Sequence, residues 1–153
     1  MQAPFDLLGV VAEEAARCGA ELVDAESLPP LDGEERLVRR AVRNLLENAR
    51  RYGQGLVEVR VHRAQSQGRD AVAVQVLDRG PGVPSAYMQS IFEPFFRLPG
   101  HAESEGGVGL GLALVRQIAQ HHGGGVEVSA REGGGSCFTL LLPLKGAPDA
   151  AAG

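Results

Sequence analysis

The sequence predicts an α+β fold, a two-layer α/β sandwich in which about three helices cover one face of a mixed, mostly antiparallel sheet. Three observations predict it. Apolar residues recur at helical spacing in three separate stretches, and valines and leucines alternate with polar residues in several shorter ones. The order is helix, strand, helix, two strands, loop, helix, two strands, which a sheet with one covered face accommodates.

The first helix is expected over Phe5 to Arg17, where Leu7, Leu8, Val11, Ala12, Ala15 and Ala16 share a face and Asp6 can cap. Glu21 to Asp24 is a short strand. Ser27 to Gly33, with Pro29 and Pro30 in tandem, reads as a plain connection, because proline supplies no donor. A second helix follows from about Glu34 to Arg51. Val57, Val59 and Val61 alternate with Glu58, Arg60 and His62, and Val72, Val74 and Val76 repeat the period of two. The polar stretch Ala64 to Asp70 joins these strands as a hairpin. Leu110, Leu114, Val115, Ile118 and Ala119 mark a third helix ending at Gly123. Val126 and Val128, then Phe138, Leu140 and Leu142, form a closing hairpin around Gly133-Gly134-Gly135. Residues 79 to 107 remain as a loop, long enough that function is the usual reason for it.

A chain of 153 residues buries roughly two thirds of its unfolded surface, so a single domain over residues 1–145 suffices. Residues 146–153, rich in Ala and Gly, are expected to be a disordered tail. The net charge of −4, with basic residues scattered, argues against nucleic acid as a partner. Cys18 and Cys137 lack metal-type spacing and read as free thiols of a reducing compartment. No apolar run approaches the ~20 residues of a membrane span, and Met1 to Asp6 has no signal-peptide character. The expectation is a cytosolic domain. His62, His101, His121 and His122 are expected at the surface, the last pair favoured by a helix C-terminus.

Three local patterns carry chemistry. On the second helix Asn44, Asn48 and Arg51 fall on one line beside the apolar stripe Val38, Val42, Leu45 and Ala49. An amide oxygen suits Mg2+ shared with phosphate oxygens, and a guanidinium suits the phosphates. By themselves the two asparagines read more readily as ordinary helix surface. Next, Leu77-Asp78-Arg79-Gly80-Pro81-Gly82 sets a carboxylate at a strand end before a Gly-x-Gly turn. The carboxylate can accept from an exocyclic amine while glycine lets a flat ring approach the backbone, although by itself the stretch reads more readily as a plain Asp-x-Gly turn. Last, Gly106-Gly107-Val108-Gly109-Leu110-Gly111-Leu112 opens a helix with free backbone donors, as a phosphate site requires. It follows a loop and lacks Gly-Lys-Ser/Thr, so it is neither a dinucleotide fingerprint nor a Walker loop.

In combination these patterns resemble a known family. Asn44-Leu45-Leu46-Glu47-Asn48-Ala49 with Arg51-Tyr52 is similar to the N box of sensor histidine kinases, and Asp78-Arg79-Gly80-Pro81-Gly82 to the G1 box. Phe92-Glu93-Pro94-Phe95-Phe96-Arg97 is similar to the F box, and Gly107-Val108-Gly109-Leu110-Gly111-Leu112 to the G2 box. The resemblance runs from about Asp6 to Pro143, covers the family's catalytic, ATP-binding domain of the GHKL group (the Bergerat fold), and is closest to the osmosensor-like branch.

The resemblance implies ATP and Mg2+ as ligands. Asn48 would hold Mg2+, with Asn44 orienting it and the phosphates, and Asn44, Asn48 and Arg97 would be the catalytic set. Asp78 would read the adenine amine, Gly80 and Gly82 would shape the pocket, and Tyr52 would flank the base. Arg51 and Arg97 would touch phosphates, and the loop from Gly107 through Gly109, Leu110 and Gly111 would cradle them. Phe92, Phe95 and Phe96 would anchor a lid whose residues 94–107 are expected to be mobile without nucleotide. Val108 and Cys137 stand where relatives often carry Thr, Cys137 near the adenine, which would tune affinity. Glu47 is expected to pair with Arg51.

Where ATPases of the group carry a water-activating glutamate, this chain has Asn44, which cannot take a proton. The resemblance therefore implies transfer of the γ-phosphate to a histidine. No phosphoacceptor motif is present in the chain, so the histidine would belong to a separate dimerisation domain of the same kinase, with a response regulator downstream. The isolated domain would be a monomer from the cytoplasmic portion of an inner-membrane sensor. An anti-sigma-factor-type serine kinase, or a nucleotide-gated ATPase or docking module, is the alternative.

Overall fold

The computed structural model describes residues 2–53, 55–96 and 111–144. Three helices, α1 (Leu7–Cys18), α2 (Glu35–Tyr52) and α3 (Gly111–His121), pack against a mixed sheet. That sheet contains β2 (Glu21–Ala25), β4 (Glu58–Ser66), β5 (Arg69–Asp78), β6 (Gly125–Ala130) and β7 (Ser136–Pro143) in the order β2-β4-β5-β7-β6. β2 runs parallel to β4 and every other pair is antiparallel. The expected sandwich is present.

Alternation decides which side is covered. Val59 and Val61 of β4, Val72, Val74 and Val76 of β5, and Phe138, Leu140 and Leu142 of β7 point to one face and are buried there. Val10 and Val11 of α1, Val38, Val42, Leu45 and Leu46 of α2, and Val115 and Ile118 of α3 meet them. Each such side chain, once buried, contributes roughly 1.5–3 kcal/mol. α2 lies between the other two helices, so both of its flanks are committed to packing.

Local signals explain most boundaries. Asp6 caps α1 as expected, its carboxylate accepting from Gly9 N at 3.1 Å. The hairpin β4–β5 is tighter than expected. Both strands run into the polar stretch and leave only Gln67 (φ 54°) and Gly68 (φ 78°) as the turn. Positive φ at both positions gives the twist that two strands need to continue pairing. The stretch Ser27 to Gly33 is not only a connection: β3 (Leu31–Gly33) pairs antiparallel with β1 (Ala3–Phe5), joining Phe5 to Leu31. Within the long loop, single turns of 3-10 helix occupy Ser85–Tyr87 and Ser90–Phe92. Most of the expected lid, and the tail at 146–153, lie outside the described residues.

His121 is exposed as expected, but His122 departs from a surface role. His122 is half-buried, its Nδ1 donating to Ile118 O at 2.9 Å and its Nε2 accepting from Glu34 N at 3.0 Å. His121 pairs with the Glu34 carboxylate. Glu34 makes no side-chain cap of its own, so His122 satisfies a donor that the start of α2 otherwise leaves open. α3 is thereby tied to α2 at the end remote from the glycine-rich loop.

Candidate functional site

The apolar face of α2 turns Asn44 and Asn48 to its margin, where both are half-buried. Asn44 Nδ2 donates to Gly111 O, the first residue of α3, at 3.2 Å. Asn44 Oδ1 has no partner among the described residues. The Asn48 amide has no side-chain partner among the described residues. Arg51 is exposed in the last turn, Tyr52 is half-buried at the helix end, and Gly111 lies beside Asn44. The expected pairing of Glu47 with Arg51 is not found among the described residues; Glu47 acts electrostatically on Arg43 instead.

Asp78 ends β5 and is only 4% exposed. One carboxylate oxygen accepts from Gly80 N at 2.8 Å, and the other has no protein partner among the described residues. A buried oxygen left open is costly unless something supplies a donor. The turn is crowded on every side. A Cβ on Gly80 would stand 2.7 Å from Gly53 Cα, and one on Gly53 would stand 2.5 Å from Asp78 Cβ. Only two glycines allow the end of α2 to lie this close to the carboxylate. Gly82 takes φ 82°.

Gly53 is thus a site residue that the N-box pattern, ending at Arg51-Tyr52, does not include. Ser136 is another. In the β5–β7 ladder Asp78 pairs with Ser136 and Leu77 with Cys137, and directly opposed residues share a face. The neighbour of Asp78 near an adenine would therefore be Ser136, while Cys137 points to the other face beside Thr139 at 3.7 Å. This corrects the expectation for Cys137. Ser136 is 4% exposed and its hydroxyl has no partner among the described residues. Counting strand alternation back from Phe138, which is plainly core, would have found it.

The phenylalanines separate. Phe92 is buried edge-on against Phe138, with centroids 6.2 Å apart, and Phe96 packs on Tyr87 at 5.7 Å. Phe95 is 68% exposed at φ 67°, so it anchors nothing in the core. Arg97, Gly107, Gly109 and Leu110 lie outside the described residues. The structure brings Asn44, Asn48, Tyr52, Asp78, Gly80 and Gly111 onto elements in mutual contact.

Residues 33–146 match the family described as histidine kinase-, DNA gyrase B-, and HSP90-like ATPase. The chain is 38% identical over 140 residues to the sensor histidine kinase GtrS of Pseudomonas aeruginosa, covering 92% of this chain and 28% of GtrS. It therefore spans under a third of that relative's length. Its fold is similar to that of the mycobacterial sensor histidine kinase MprB, with TM-score 0.74, 28% identity and coverage of 96% of this chain and 100% of that one. It is also similar to full-length ShkA in complex with AMPPNP, with TM-score 0.72, 28% identity and coverage of 95% of this chain and 32% of that one. The chain belongs to the histidine kinase-, DNA gyrase B- and HSP90-like ATPase family, as the catalytic, ATP-binding domain of a sensor histidine kinase.

Proposed function

We propose that the chain binds ATP with Mg2+ and passes the γ-phosphate to a histidine on a separate dimerisation domain of the same kinase, upstream of a response regulator. One observation carries the reading: among the described residues, buried Asp78 has one oxygen committed to Gly80 and the other without a partner, and the buried Ser136 hydroxyl, likewise without a partner, stands opposite it. Two orphaned polar atoms on one face fit a base edge that offers a donor and an acceptor.

The helix axis then orders the substrate. With 1.5 Å of rise per residue, Asn48 lies ~7 Å and Asn44 ~13 Å along α2 from Gly53, which packs on Asp78. The base sits at the Asp78 end and the phosphates run toward Asn44 and the start of α3. Tyr52 flanks the base, Arg51 and Arg97 meet phosphate charge, and Gly107, Gly109, Leu110 and Gly111 cradle the phosphates. Mg2+, held by Asn48, neutralises phosphate charge when bound. Asn44 orients without abstracting a proton, so the chain positions rather than activates, as phosphoryl transfer requires. Relatives named as sensor histidine kinases and the AMPPNP complex of ShkA support this reading.

No helix among the described residues is long and apolar enough to cross a membrane. We place the domain in the cytoplasmic portion of an inner-membrane sensor. It needs no nucleic acid and is a monomer by itself.

Asn48→Ala is expected to leave metal-free nucleotide binding within about twofold of the parent and to remove the gain from Mg2+, because the ion is shared between this amide and the phosphates. Parallel titrations with Mg2+ and with chelator check it; equal enhancement in both proteins would move the metal elsewhere. The reaction is tested by mixing the chain with γ-labelled ATP and a dimerisation-domain fragment of its own system. Acid-labile, base-stable label is expected on the fragment alone, with slow hydrolysis in its absence. Label on a serine would favour the serine-kinase reading, and turnover at tens per second without a partner would favour an ATPase.

A further inference from the structure

We propose that Arg79, between Asp78 and Gly80, is a positioning residue for the base: its guanidinium holds the glycine turn at 133–135 and, through it, keeps Ser136 opposite Asp78. The role rests on the nucleotide reading above.

Arg79 is exposed, yet its Nη1 donates to two backbone carbonyls, Glu132 O and Gly134 O, each at 3.0 Å. It forms no ion pair among the described residues. A guanidinium carries five donors in a rigid fork and can hold two acceptors in a set geometry. What it holds has little order of its own. Gly133, Gly134 and Gly135 take φ of 86°, 109° and 110°, and three successive glycines lose more backbone freedom on folding than any other three residues would. Apart from Arg79, the turn has two internal bonds, Arg131 N to Gly135 O at 3.0 Å and Gly134 N to Arg131 O at 2.9 Å.

This turn lies directly against the Asp78 turn. A Cβ on Gly135 would stand 1.9 Å from Asp78 O, and one on Gly82 would stand 3.5 Å from Gly135 O. Asp78 and Ser136 form the terminal pair of the β5–β7 ladder, the place where a ladder opens most easily. Arg79 reaches past that pair and closes the ladder from outside.

Arg79→Ala and Arg79→Lys test the role. In hydrogen exchange without nucleotide, the Gly134 and Arg131 amides are expected to exchange faster in Arg79→Ala, with Arg79→Lys intermediate. In titrations, ATP is compared with 1-deaza-ATP, which keeps the 6-amine but lacks the ring acceptor N1 to which the Ser136 hydroxyl would donate. The preference of the parent for ATP is expected to fall about tenfold in Arg79→Ala and less in Arg79→Lys, while binding of the N1-free nucleotide stays near the parent value. Equal losses for both nucleotides would mean that Arg79 touches phosphate or supports the fold generally, and would overturn the proposal. So would unchanged exchange, or faster exchange with the preference intact. A parent that binds neither nucleotide would remove the ATP reading itself, an outcome distinct from a parent and variants that discriminate alike.

Discussion

Asp78→Asn is expected to lower ATP affinity by about one to two orders of magnitude while leaving the thermal midpoint close to that of the parent. The carboxylate makes two demands at once: one oxygen accepts from Gly80 N at 2.8 Å, and the other, without a partner among the described residues, is the one that would accept from adenine. An amide satisfies only one of them. If its oxygen keeps Gly80, its NH2 faces the adenine amine, donor against donor. If it flips, two buried donors meet at Gly80. Either arrangement costs ~1–3 kcal/mol or more. The side chain keeps its size, so the close fit to Gly53 survives. Titration with labelled ATP measures the effect, and affinity within a factor of two of the parent would mean that the adenine pocket lies elsewhere.

The largest expected loss of stability comes from a residue far from that pocket. Glu14 occupies a position in the apolar stripe of α1, between Val11 and Ala15, and its side chain is 0% exposed. Arg43 grips it from α2 with Nε at 2.9 Å and Nη2 at 3.1 Å, and Arg39 adds a bond at 2.9 Å. The hydrogen bond from Arg43, followed by that from Arg39, holds the Glu14 carboxyl below its usual range, outweighing the opposing effect of burial. Removing one partner of such a cluster is worse than replacing the whole, because the remaining charges keep only part of their compensation. Arg39 retains Glu13 at 2.9 Å and Glu35 at 3.3 Å, which limits the damage. Glu14→Ala should therefore cost about 2–4 kcal/mol at neutral pH by urea denaturation.

The sign of the pH dependence follows. A carboxyl whose folded pKa is depressed contributes fully above its ordinary value, and loses that contribution as pH falls through the lowered one, since the unfolded chain then binds the extra proton. Parent and Glu14→Ala should converge in stability as the pH drops through the acid range. A gap that stays constant down to the acid limb would show that Glu14 acts through packing rather than through charge.

How much of this was open to inspection in the chain depends on distance along it. Val57, Val59 and Val61 declare a strand by alternation, Val38, Val42, Leu45 and Ala49 declare a helix face, and Asp6 declares a cap, because each signal lies within a few residues of its effect. Asn44, Asn48, Asp78 and Gly80 sit in short patterns that singly read as helix surface or a plain turn, and only the four boxes taken in order, by their resemblance to a known family, single them out. Phe95 shared its motif with Phe92 and Phe96, but exposure depends on neighbours that a motif does not name. A charge inside an apolar stripe, Glu14, was a visible signal of a buried ion cluster, although its partners twenty-five and twenty-nine residues away were not.

The sequence by itself determined the three helices and the strands of the main sheet, with their order, because hydrophobic period and turn chemistry are written in adjacent residues, while the chemistry of the boxes came from their combination. Only the tertiary structure decided which residues meet. β1 and β3 are three residues each, too short to show a period, and exist because they pair with one another. Ser136 rather than Cys137 faces Asp78 because strand register, a relation between two segments, sets the face of every side chain. Gly53, His122 and Arg79 acquire their roles from contacts with Asp78, Glu34 and the 132–134 carbonyls, spanning twenty-five, eighty-eight and more than fifty positions. Contacts at such separations form only after the sheet and helices have packed, so no local pattern encodes them.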